Sequence, residues 1–117
     1  MEETQPMLAD PFELATLGRR SVLIVAGTDS RRAEQVALLL DDRESMLDRN
    51  ALVLVLDGGE VEVAVGELNF ELSARYLRER FEVSGLDFEV TVVDLDGEAQ
   101  DYFYSVTPPA ELWASID

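Results

Sequence analysis

Apolar residues follow two rhythms along this chain. Residues 21–26 (SVLIVA) and 52–56 (LVLVL) are continuous apolar runs rich in β-branched side chains, as expected of strands covered on both faces. Between them Ala33, Val36, Ala37 and Leu40 recur at i, i+3, i+4 and i+7, which predicts a helix with one apolar face. Arg32, Glu34 and Gln35 then face solvent, and Asp29 or Ser30 caps the first turn. A strand, a helix and a second strand in succession predict a right-handed parallel crossover.

The second half alternates more finely. Residues 60–66 (EVEVAVG) switch between polar and apolar, as an edge strand or an extended loop does. Asn69 is placed to open a helix whose stripe is Phe70, Ala74, Leu77 and Phe81, with Arg75, Arg78, Glu79 and Glu82 outside. Residues 88–95 and 98–106 read as strands joined at Asp96-Gly97, the dipeptide that a tight hairpin favours. Thr107 is the expected cap of a last helix with proline at its first position, docked by Leu112, Trp113 and Ile116. Residues 1–11 predict a flexible N-terminal arm. A short helical turn follows, packed by Phe12, Leu14 and Leu17 and ended by Gly18. Residues 12–117 thus predict a single α/β domain of thioredoxin-like type, a central mixed sheet of four to five strands with helices on both faces.

Charge narrows the function. Lys plus Arg number 9 against 25 Asp plus Glu, a net charge of −16 in 117 residues. Such a field repels phosphate backbones and anionic lipid, so neither nucleic acid nor membrane is an expected partner. Its plain consequence is solubility; its sharper one is a surface for a basic target. Every base is arginine, and cysteine and histidine are absent. This excludes thiolate, imidazole and Schiff-base chemistry, leaving no catalytic constellation, no expected cofactor and no expected metal site. No stretch is apolar for long enough to span a bilayer. The N-terminal residues lack the pattern of a signal peptide, so the chain as it stands reads as cytoplasmic, or as exported if a leader has been removed.

Five strings carry a resemblance: residues 19–26 (RRSVLIVA), 29–35 (DSRRAEQ), 76–81 (YLRERF), 92–98 (VVDLDGE) and 112–117 (LWASID). Together they resemble the thioredoxin-like family catalogued as domain of unknown function 4174, found in bacterial proteins and in animal extracellular proteins with sushi repeats. The resemblance covers nearly the whole chain from Leu8 onward, and the family has no settled activity. It implies a reactive position at the start of the first long helix, where redox-active relatives of the fold carry a cysteine whose pKa the helix terminus lowers. Residues 28–31 occupy that place without sulfur, and residues 83–87 lack the proline that active members set beside it. The implied state is redox-inactive.

Two groups of residues remain as candidate contacts. Thr28, Ser30, Arg31 and Arg32 offer hydroxyls, guanidinium groups and helix-terminal N–H groups to a small anion or an acidic partner segment; otherwise they cap the helix and pair with neighbouring acids. Tyr102, Phe103 and Tyr104 form an aromatic concentration, the tyrosines on one side of a strand and Phe103 on the other, suited to a partner patch or to the core. Asp94, Asp96 and Glu98 alternate as calcium ligands do, but the remaining spacing of a calcium loop is missing, and a hairpin turn accounts for them. The expectation is a non-enzymatic module that binds a protein partner or associates with itself. The alternatives are a small acidic inhibitor mimicking a polyanion, and a small-anion binder at the first helix.

Overall fold

The apolar run of β1 (Ser21–Gly27) is explained by its neighbours. It lies between β2 (Ala51–Asp57) and β4 (Phe88–Val93) at the centre of a sheet ordered β3-β2-β1-β4-β5, with β3 at Glu60–Val65 and β5 at Ala99–Phe103. The computed structural model describes residues 11–16, 21–83, 87–94 and 96–115. β1 runs parallel to β2, Ser21 opposite Ala51 and Ala26 opposite Leu56, while the pairs β1–β4, β2–β3 and β4–β5 are antiparallel. This is a mixed α/β architecture, and it fits a thioredoxin-like fold.

Side-chain alternation divides the core into two layers. Val22, Ile24 and Ala26, with Leu52, Leu54 and Leu56, pack against Phe12 of α1 (Pro11–Ala15) and against Leu77 of α4 (Ala74–Arg80). Leu23, Val25, Val53 and Val55 point the other way. There they meet Leu39 of α2 (Asp29–Asp41), Met46 of α3 (Arg43–Asp48) and Trp113 of α5 (Pro109–Ala114). Helices therefore cover both faces, and the two central strands need apolar residues at every position.

Several elements differ from the sequence expectation. The buried face of α2 consists of Arg32, Gln35 and Leu39, whereas Ala33 and Ala37 are exposed and Leu40 is 40% exposed. The helix is turned because two polar side chains find partners inside. Gln35 bonds Thr107 at both ends, Oε1 accepting from the Thr107 N–H at 2.9 Å and Nε2 donating to its carbonyl at 2.8 Å. Thr107 is thereby engaged, and Pro108 takes the cap position before Pro109 at the head of α5. The cap of α2 is Thr28, with no side-chain bond, in place of Asp29 or Ser30.

The helix expected from Asn69 begins at Ala74, where the Ser73 hydroxyl accepts from the Tyr76 N–H at 3.0 Å. Asn69 instead ties this segment to α1, its N–H donating to the Ala15 carbonyl and its Nδ2 to the Leu14 carbonyl, both at 2.8 Å. The alternating segment is a true strand, joined to β2 through Gly58-Gly59. At the β4–β5 connection Asp94 Oδ1 accepts from the N–H groups of Asp96 and Glu98, at 2.9 and 3.0 Å, and Gly97 supplies a φ of 79°. β5 ends at Phe103, short of Val106. Pro11, assigned to the arm, starts α1. The rest of the arm, Leu17, Gly18, residues 84–86, Leu95 and Ile116 lie outside the described residues.

Candidate functional site

The β1–α2 turn forms because its backbone runs against the entry to β4. Gly27 has φ 139°, and a Cβ there would sit 2.4 Å from the Asp87 carbonyl oxygen, a clash that requires glycine. The Thr28 N–H donates to that same carbonyl at 2.9 Å. Thr28, Ser30 and Arg31 are exposed, whereas Arg32 is turned inward. Its Nη1 donates to the Leu56 carbonyl at 3.2 Å and lies 3.2 Å from Asp57 Oδ1, while Nη2 pairs with Asp29 Oδ1. The four candidate contacts are thus not presented together, since the guanidinium of Arg32 braces the end of β2.

Beside this brace is a cavity of about 340 Å³ between α2 and β3, lined by Asp29, Arg32, Val36, Asp57, Glu62 and Ala64 among others. Three carboxylates face one guanidinium, so the space disfavours an anion and favours a cation. The buried Nε of Arg32 has no hydrogen-bond partner among the described residues.

A larger groove of about 790 Å³ lies on the opposite face of β3. It is lined by buried Leu72, half-buried Val61 and Leu68, and exposed Val63, Phe70, Glu60 and Glu71. Val63 is 40% and Phe70 44% exposed, and no basic residue lines the groove. The alternation of residues 60–66 marks the strand, but the spacing of Phe70 with Ala74, Leu77 and Phe81 predicts a helix stripe that would bury it. What left it outside was the later cap at Ser73, which a count of apolar spacing does not weigh.

The aromatic trio does not form one patch. Tyr102 stands opposite Thr91 and Phe103 opposite Val90, on different faces of the sheet. The Tyr102 hydroxyl donates to the Phe81 carbonyl at 3.2 Å. Burial pushes its phenol above the usual range, and the charges of Glu82 and Glu89, with Tyr104, add to the shift. Phe103 packs partly into the layer of Trp113, and Tyr104, beyond the strand, is exposed. The Asp101 carboxylate accepts from the Tyr102 N–H at 2.8 Å, and Asp94 accepts from Gln100 Nε2. Among the described residues no group of carboxylates is arranged to hold a metal ion, and no helix is long and apolar enough to cross a membrane.

Comparison with known proteins gives a match to the model of a family described as Domain of unknown function (DUF4174), over residues 15–117. No curated protein and no solved structure matches the chain.

Proposed function

The chain belongs to the DUF4174 family, and from that premise we propose that it is a non-enzymatic, redox-inactive thioredoxin-like module whose task is to bind a protein partner. The observation that carries this is the β3 groove, where Val63 and Phe70 hold apolar surface in water beside half-buried Val61 and Leu68. Contiguous exposed apolar surface with a polar rim is the mark of an interaction site. Two further features support the proposal. The turn that a thioredoxin-like protein uses for chemistry carries an arginine engaged by Asp29, Asp57 and the Leu56 carbonyl. The chain also has no cysteine, histidine or lysine with which to act covalently. Association with a second copy is disfavoured, because each carries a net charge of −16.

The test is capture from an extract of the source organism on immobilised protein, in parallel with Phe70→Ser, followed by identification of the retained proteins. The expected result is a specific protein held in both low and high salt and lost with the variant, whose melting temperature matches the parent. The absence of any specifically held protein at either salt would sink the proposal, and a protein retained equally by the variant in high salt would remove the β3 groove as its site. Capture confined to low salt and indifferent to Phe70 would move it to the acidic-inhibitor alternative.

A further inference from the structure

We infer that β3 is a docking edge for an extended segment of the partner in which apolar and basic residues alternate. This deepens the protein-binding proposal and rests on it. β3 bonds only to β2, and among the described residues no strand lies along its other side. Nor does any described side chain hydrogen-bond to the N–H groups of β3, in contrast to β5, where Asp101 takes the Tyr102 amide. Half the main-chain groups of an edge strand point outward, so an extended chain can pair with them.

The two faces of this edge differ in chemistry. Val61 and Val63 border the apolar groove of about 790 Å³, and Glu62 borders the acidic cavity of about 340 Å³ with Asp29 and Asp57. Side chains of an added strand alternate between the same two faces. One parity would therefore enter apolar space beside Phe70, and the other would meet an excess of carboxylate suited to arginine or lysine. The register shift between Val53 and Leu54 falls opposite the far end of β3, leaving residues 60–63 as the regular stretch for pairing.

Charge also selects among occupants. A second copy pairing through its own β3 would set Glu60 and Glu62 against their equivalents, an unfavourable cross-strand arrangement. The first ten residues of the chain, with Glu2, Glu3, Asp10 and no base, would meet the same repulsion. A basic partner segment relieves it.

The experiment uses the full chain, isotopically labelled, and four blocked synthetic peptides at physiological salt. The first alternates valine and arginine. The second holds the same residues in two separate blocks, the third alternates valine and glutamate, and the fourth is the first with alternate backbone amides N-methylated. The expected outcome is binding of the first peptide at least tenfold tighter than each of the others, with amide shifts concentrated on residues 60–65. Glu62→Gln and Phe70→Ser, both at exposed positions, should each weaken it several-fold. Equal binding of the methylated or segregated peptide would overturn strand addition. If that occurs while capture of a protein still depends on Phe70, the inference fails and the protein-binding proposal stands. If neither a peptide nor a protein is bound, both fail.

Discussion

The two edges of the sheet are finished in opposite ways. At β5 the polar and aromatic groups are engaged within the chain: Tyr102 reaches the Phe81 carbonyl, the Tyr102 amide is taken by Asp101, and Phe103 packs toward the core. The chain beyond it is clamped to α2 through Gln35 and Thr107. At β3 the strand is flanked by two cavities, apolar side chains are left in water, and the guarding groups are glutamates. Charge on an edge strand prevents pairing with a like-charged copy. It does not prevent pairing with a basic chain. β5 is an outer strand too, with a cavity of about 540 Å³ beside Asp101 and Phe103, so the two edges differ in the chemistry they present and not in access alone.

Gln35→Ala should break the contrast most deeply. It leaves the N–H and carbonyl of Thr107, a residue 5% exposed, without their partner. Two unsatisfied buried groups cost about 3 kcal/mol together, read as a lowered midpoint in urea denaturation. A loss below about 1 kcal/mol would mean that the clamp does not hold this edge.

Arg32→Met acts one turn earlier on the same buried face of α2, where the arginine supports the last residues of β2 against which β3 pairs. Its ion-pair partners are themselves exposed or half-exposed, so those pairs contribute little. The charged bond to the buried Leu56 carbonyl accounts for most of an expected loss of about 2 kcal/mol by the same denaturation assay. A neutral result would show that the brace is dispensable to the β3 edge.

Tyr102→Phe is expected to cost about 1 kcal/mol at neutral pH through loss of one hydrogen bond. It also has a pH signature. The folded-state phenol is raised above its ordinary value of 10.0, mainly by burial, so the unfolded chain releases its proton first. The stabilisation is complete below that ordinary value and is lost as pH rises through the folded pKa. Thermal unfolding measured from neutral to strongly alkaline pH should fall less steeply in the variant than in the parent; parallel curves would remove Tyr102 from the account.

Phe70→Ser has the smallest expected effect on stability, within about 0.5 kcal/mol, because the ring is already substantially exposed. A drop of several degrees in melting temperature would place Phe70 in the core and erase the difference between the edges. Unchanged melting with lost partner binding would sharpen it.

Much of the scaffold was legible in the residues. The apolar runs of β1 and β2 could be covered only on both faces, and Asp96-Gly97 marked the β4–β5 hairpin. The site was less legible. Of the helical stripe Ala33, Val36, Ala37 and Leu40, Val36 packs against the core layer while the other three are exposed, since Arg32 and Gln35 outweigh alanine when interior partners exist. Asn69 looked like a helix cap and proved to be a tie to α1, with Ser73 as the working cap.

What the sequence determined by itself was whatever depends on a residue and its near neighbours: strand or helix, the sign of the field, and the exclusion of thiolate and imidazole chemistry. Tertiary structure decided which polar groups are inside and which apolar groups remain outside. Gln35 is buried because Thr107, seventy-two positions away, offers it a donor and an acceptor. Val63 and Phe70 remain 40% and 44% exposed at the groove beside β3, although local spacing sets Phe70 on a helix stripe. A hydrogen bond can compensate burial only when its partner arrives from elsewhere in the chain. Local hydrophobic periodicity cannot register that arrival.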